Sequence, residues 1–403
     1  MTEEIAAPPP HRLLHWLRHI AIVAFFLGFG AMLVGIGSLL ITGNHPATRD
    51  VVSFWSAGRL VFARANPYDA TTITALERSV GFSPKAAVLI MRNPPYALPL
   101  VLPLGAFQLR AASLVWSLIL MTILVLSIHL FWIAYGRPAN RIHLFAFTFS
   151  PALACIMSGQ TSLFALLGLV LFLRFHRERS FAAGMALWLC ALKPHLFLPF
   201  AVVVLLWAVF TRSYRLLAGS ALAVAATSAF ATWLIPGVWG DYSRMMHSPL
   251  VQAEFVPCLS YQLRALHPQA AWLQYAPAFA GCCWASWFYL RRRHTWNWIE
   301  DGALLMLVSL VVGPYSWLTD HAVLIPALLV GLYRATTRAQ LALLGLASLL
   351  IEIAQFSGVS MHSSVFILLP LYWLAWYLFT TRQPRENGAP LAALAQEPLL
   401  HSL

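Results

Sequence analysis

Residues 111–134 read AASLVWSLILMTILVLSIHLFWIA, 24 consecutive positions without an Asp, Glu, Lys or Arg. A helix of that length rises about 36 Å, enough to cross a hydrocarbon core of about 30 Å. Working outward from it, further apolar runs lie at 20–41, 142–157, 161–175, 181–192, 195–210, 216–235, 271–290, 302–313, 319–333, 340–356 and 363–380. The pattern predicts an all-α integral membrane protein, a polytopic bundle of about twelve transmembrane helices. Several runs are shorter than the roughly 20 residues a straight span needs. They are cut at Gly159, Pro194 or Pro314, so helices broken within the membrane are expected. The stretch 95–109, opening Pro-Tyr-Ala-Leu-Pro-Leu-Val-Leu-Pro-Leu-Gly, is too short and proline-rich for a span and is expected to be re-entrant or interfacial.

Composition agrees. Of 403 residues, 60% are hydrophobic and only 10% charged, and mean hydropathy is +0.72, which excludes a soluble domain because too little charge remains to cover its surface. The net charge of +12 suggests nucleic acid at first sight. The basic residues, however, are single or in short clusters between apolar runs, and no basic aromatic groove or recognition motif accompanies them, so no nucleic-acid partner is expected. Cys155, Cys190, Cys258, Cys282 and Cys283 show no metal-binding spacing and imply no disulfide framework. The run 20–41 exceeds a signal-peptide core and lacks a cleavage site, so it is expected to be retained as the first helix.

The arginines orient the bundle. With the N-terminus cytoplasmic and the spans alternating, Arg137 and Arg141, Arg174, Arg177 and Arg179, Arg212 and Arg215, Arg291 to Arg293, Arg334 and Arg338, and Arg382 and Arg385 all fall on the cytoplasmic side. The expected organisation is a cytoplasmic tail at 1–19, a transmembrane domain at 20–380 and a second cytoplasmic tail at 381–403. The domain would carry a long extracytoplasmic first loop, 42–110, and a second outer loop, 236–270. The location implied is the inner (plasma) membrane, multi-pass.

The outer side then collects polar residues that topology does not require: Asp50, Asn93, Gln160, Lys193, His195, Asp320 and His321. Polar groups at membrane depth are costly and tend to line a functional cavity. Asp50 precedes a stretch, 51–64, suited to an amphipathic helix on the membrane surface, where the carboxylate serves either as helix cap or as general base. Asp69, in Asn-Pro-Tyr-Asp, reads as a turn residue. Arg92-Asn93-Pro94-Pro95-Tyr96 reads as a rigid extended lead into the membrane, either a loop anchor or a phosphate and sugar contact. Ser158-Gly159-Gln160-Thr161 is a tight turn or a cavity hydrogen-bonding group. Lys193-Pro194-His195 opposes the charge bias and suits an anionic ligand, with snorkelling to the interface as the alternative. Gly313 to His321 ends in Asp320-His321, either helix caps or ligands. Glu352, inside an apolar run, is expected to be satisfied by a neighbouring helix or to be protonated.

In chain order these residues resemble glycosyltransferase family 87, membrane transferases that use polyprenyl-phosphate sugars. The matching pieces are Asp50, Phe54-Trp55, Ala57-Gly58, Asn66-Pro67-Tyr68, Pro94-Pro95-Tyr96, Gly159-Gln160, Lys193-Pro194, and Pro314, Ser316, Trp317 and His321. The resemblance implies a C-type glycosyltransferase fold with its catalytic centre on the extracytoplasmic face. It implies that Asp50 deprotonates the acceptor hydroxyl, which displaces the lipid phosphate with inversion. Lys193, Arg92 and His321 would hold the donor phosphate. Gln160, Asn93, Tyr96, Trp55, His195, Trp317 and Asp320 would contact sugar or acceptor. The implied partners are a polyprenyl-phosphate sugar donor, a hexose such as mannose being the usual cargo, a lipid or glycan acceptor, and membrane lipids. No cofactor and no metal ligand are implied. A secondary transporter or lipid flippase is the competing class, disfavoured because no repeat relates the two halves and the polar groups cluster outside.

Overall fold

The computed structural model describes residues 49–82 and 89–381, with isolated helical positions between 19 and 37. The expected span at 20–41 and the two tails lie essentially outside the described residues. All elements that are described are helical.

α1 (Arg49–Phe62) is followed by α2 (Ala70–Ser79), which begins at Asp69. Asp69 is the N-cap: its carboxylate accepts from the Thr72 amide at 2.8 Å, a more specific role than a plain turn residue. α1 differs from the expected surface helix. Every residue from Val51 to Gly58 is buried, and Arg59 and Phe62 are its exposed positions up to the helix end. The reason lies in its small residues. α3, the short helical stretch Pro95–Ala106, crosses α1 where Gly58 meets Gly105. A Cβ on Gly58 would collide with the Val101 carbonyl, and one on Gly105 with the backbone of Gly58 and Arg59. Arg59 Nη1 donates to the Gly105 carbonyl at 3.0 Å and Trp55 Nε1 to that of Phe107 at 3.0 Å, which fastens α3 before the chain turns into the next helix.

That helix, α4 (Leu109–Ala134), is the apolar run at 111–134. Three other helices are also long and apolar enough to cross a membrane: Tyr214–Leu234, Arg338–Gln355 and Ser364–Thr381. The remaining apolar helices are shorter, among them Ser162–Phe175, Ser180–Ala191, Leu198–Phe210 and Asp301–Val312. A 12-residue helix rises only about 18 Å, so these segments do not each cross a bilayer alone. Proline explains several of the breaks. Pro151, Pro199, Pro326 and Pro370 each sit in the first turn of a helix, where the missing N–H is no loss, and 3-10 turns precede all four.

We label the rest α5 (Ser150–Ser158), α6 (Ser162–Phe175), α7 (Ser180–Ala191), α8 (Leu198–Phe210), α9 (Tyr214–Leu234), α10 (Val238–Met246), α11 (Leu259–Leu266), α12 (Ala276–Arg292), α13 (Asp301–Val312), α14 (Ile325–Arg334), α15 (Arg338–Phe356) and α16 (Leu369–Thr381). α7 and α9 approach closely through Gly184, against the Leu216 carbonyl, and Gly219, against that of Phe181. Within α15, Glu352 is half-buried near Ser150 of α5, whose hydroxyl donates to the Ser348 carbonyl at 2.6 Å.

The ends of the bundle differ in chemistry. At one, Arg292 pairs with Asp301 at 3.0 Å, Arg334 pairs with Glu300, and Tyr135 stacks on Tyr333 at 4.5 Å. At the other, the connections before α6, after α7, between α13 and α14 and after α15 converge with the 89–96 segment. This end carries the candidate site.

Candidate functional site

The site is built on a helix end. α7 stops at Ala191, and its last carbonyls would be orphaned without partners. Tyr96 donates its hydroxyl to the Ala191 carbonyl at 2.7 Å, and Asn93 Nδ2 donates to that of Leu192 at 2.8 Å. Tyr68 in turn holds the Asn93 carbonyl at 2.9 Å. Pro194 prevents the helix from continuing, so Lys193 is delivered at a fixed place beneath the surface.

Lys193 is 7% exposed and Asp320 0%. The ammonium donates to Asp320 Oδ1 at 2.5 Å, to Gln160 Oε1 at 3.0 Å and to Ser162 Oγ at 3.0 Å. Asp320 completes its own set with the Ser162 hydroxyl at 2.7 Å and the Trp317 amide at 2.8 Å. A buried ion pair survives only when its remaining valences are satisfied in this way. Gln160 is placed by Gly159, whose φ of +82° ends α5 in the left-handed conformation that glycine adopts freely.

Asp50 belongs to the same corner. It is the second residue of α1, partly exposed, and inside the first turn rather than at the cap, where a negative charge is favourable to the helix dipole. The next residue, Val51, packs directly on Gly159, and Trp116 Nε1 donates to the Gly159 carbonyl at 2.7 Å. The Gly159-Gln160 turn therefore lies between Val51, the neighbour of Asp50, and the buried ion pair.

A second layer lies above. Arg92 pairs with Glu254 and donates to the Tyr315 hydroxyl at 3.2 Å, while Trp317 Nε1 donates to that hydroxyl at 2.5 Å. His195 meets the Tyr315 ring edge-on at 5.1 Å, and its Nε2 is a buried nitrogen with no hydrogen-bond partner. His362 stands 3.5 Å from Glu254 and edge-on to Trp317 at 4.8 Å.

The structure thus brings together Asp50, Arg92, Asn93, Tyr96, Gln160, Lys193, His195, Trp317 and Asp320. Two expected contacts are placed differently. Trp55 is buried with its N–H committed to Phe107, on the α3 side of α1. His321 is buried beneath the site, its Nδ1 accepting from Trp373 Nε1 at 3.1 Å, which puts the ring proton of the neutral form on Nε2. Ser162, Tyr315 and His362 join the cluster without having been singled out, and Glu254, one of the few outer-side carboxylates the sequence offers as a base, joins it as the partner of Arg92. Ser162 looked like the ordinary start of an apolar run, and Glu254 and His362 sit in loops with no local pattern. Among the described residues no group of three or more His, Cys, Asp or Glu is placed to hold a metal ion.

A scan against protein-family models matches residues 92–351 to Glycosyltransferase family 87, 260 of the 403 residues. The chain belongs to glycosyltransferase family 87. No curated protein and no solved structure matches. The family match contains Gln160, Lys193, His195, Trp317, Asp320 and His321 and begins at Arg92, so Asp50 lies outside it. Family 87 membership makes this protein a glycosyltransferase, with a sugar donor and an acceptor as its substrates, carried on several apolar helices suited to a membrane.

Proposed function

We propose that the protein transfers a hexose, mannose being the leading candidate, from a polyprenyl-phosphate donor to an acceptor hydroxyl, on a C-type glycosyltransferase scaffold. Val51, the residue after Asp50, packs on Gly159. The nearness of the partly exposed Asp50 to the Gly159-Gln160 turn, which follows from that contact, supports this reading most directly. The arginine sorting along the sequence supports an extracytoplasmic site, with both termini in the cytoplasm.

In this reading Asp50 takes the proton of the acceptor hydroxyl. The oxygen attacks the anomeric carbon, a new C–O bond forms, and the bond from that carbon to the phosphate oxygen breaks with its electron pair leaving on the lipid phosphate. The sugar inverts in a single displacement. Arg92 has N–H groups beyond those used by Glu254 and Tyr315, which offer a departing phosphate hydrogen-bond donors, and the unpartnered His195 Nε2 lies in the same layer.

The test is to incubate purified protein with labelled polyprenyl-phosphate sugars and an acceptor extract and to follow release of lipid phosphate. Wild-type protein is expected to release it, while Asp50→Ala stays folded and inactive. Full turnover by Asp50→Ala removes Asp50 as the base.

A further inference from the structure

Resting on the polyprenyl-phosphate reading, we infer that Lys193 is a positioning residue and not a phosphate ligand, and that it aims the amide N–H groups of Gln160 at an oxygen of the bound sugar.

The argument is a count of hydrogens. An ammonium carries three N–H bonds and no lone pair. Lys193 directs them to Asp320, Gln160 and Ser162, all within 3.0 Å, on a side chain that is almost wholly buried. Nothing is left to donate to an incoming phosphate.

The same three bonds settle the orientation of Gln160. Amide oxygen and nitrogen are nearly indistinguishable by shape, and the hydrogen-bond network decides which faces which way. Because Lys193 can only donate, Gln160 must present Oε1 to it. The Nε2 end is turned away from the ion pair, and among the described residues it has no acceptor. Gln160 itself is partly exposed and adjoins the turn on which Val51, the neighbour of Asp50, rests. A neutral donor suits a sugar hydroxyl rather than the anionic phosphodiester of the donor. The phosphate is left to the Arg92 layer. Ser162 acts as a relay, accepting from Lys193 and donating to Asp320, so the network fixes Gln160 without an idle group.

Two measurements test this. Lys85 and Lys193 are the lysines of this chain, so amine acylation followed by mass spectrometry reads each directly. In the folded protein Lys193 should be acylated about tenfold or more slowly than in the detergent-unfolded chain, with no change on adding sugar-free polyprenyl phosphate. Ready acylation that polyprenyl phosphate suppresses would make Lys193 a phosphate ligand and overturn the inference. The second measurement is kinetic. Gln160→Glu keeps an acceptor for Lys193 and loses the donors. It should lower kcat/KM for the sugar-bearing donor by roughly three- to tenfold or more, the value of one hydrogen bond, while inhibition by sugar-free polyprenyl phosphate is unchanged. The double variant Lys193→Met/Asp320→Leu, which removes both charges together, should show the same split. Loss of that inhibition in the double variant, or full activity in Gln160→Glu, refutes the assignment. If wild-type protein fails to turn over any polyprenyl-phosphate sugar, the donor reading falls, and the acylation result still decides Lys193.

Discussion

The Lys193–Asp320 pair makes the strongest thermodynamic prediction. In Lys193→Met, Asp320 keeps Ser162 and the Trp317 amide but loses its counter-ion, at a position with no exposure. Removing one partner of a buried pair costs about 3–5 kcal/mol, because a charge is left without compensation. Asp320→Asn should cost a similar amount from the other side, since Lys193 then keeps hydrogen-bond acceptors but no counter-charge. Each single variant should therefore shift the folded-to-unfolded ratio by a factor on the order of 10² to 10⁴. The double variant Lys193→Met/Asp320→Asn leaves no buried charge, and asparagine can still bond to Ser162 and the Trp317 amide. It should cost less than either single change. The assay is reversible unfolding in mixed detergent, followed by tryptophan fluorescence, arranged as a double-mutant cycle. If the double variant instead costs the sum of the singles, roughly 6–10 kcal/mol, the two groups do not compensate each other and the reasoning fails.

Other predictions follow from single contacts. Gly58→Leu forces a side chain into the Val101 carbonyl and should destabilise by about 3 kcal/mol or more, with lost yield of folded protein as the readout; normal yield and melting would contradict the close α1–α3 approach. Asp69→Ala should cost α2 about 1 kcal/mol, seen as faster proteolysis of that helix without loss of transfer. Hydrogen bonds from Thr72, its side chain first, hold the Asp69 carboxyl below the usual aspartate range. Its stabilisation is thus complete above a pH of about 3.9 and is lost as pH falls through the lower folded value; the proteolysis rate of wild type should rise only in that acid window. Trp373→Phe deletes the donor to His321 and should cost about 1 kcal/mol, while a shifted pH–rate profile would show that the tautomer of His321 matters for turnover.

The apolar runs and the arginine pattern were plain in the sequence, because both follow from solvation and act locally. The convergence of Gln160, Lys193 and Asp320 was also foreseeable, since uncompensated polar residues in an apolar chain must find one another. What the sequence concealed was the choice between partners. Lys193 was read as suiting an anionic ligand or snorkelling to the interface, and in the structure its ammonium pairs with Asp320, 127 positions away. Nothing in local spacing separates an external anion from one on the same chain. Residues 51–64 misled for a different reason. Phe54, Trp55 and Arg59 suggest a surface helix, but Ser53, Ser56, Ala57 and Gly58 make it narrow enough for α3 to lie across it. That signal was present as a run of small residues, although its meaning depends on a partner helix more than 40 residues later. Asn93 and Tyr96 looked like ligand contacts, and the structure places them on the end of α7, holding the segment that carries Lys193.

The distance between Lys193 and Asp320 also bears on how the chain is made. At a synthesis rate of about 5–20 residues per second, adding the 127 residues that run from the one after Lys193 to Asp320 takes roughly 6–25 s. Throughout that interval the nascent chain holds a lysine in an apolar setting with its counter-ion not yet translated. Gln160 and Ser162 are already present, and both accept from Lys193. They can shelter the ammonium as a provisional solvation shell until the carboxylate arrives. Of the three partners of Lys193 only these two precede it in the chain, so replacing both is expected to lower the yield of inserted protein.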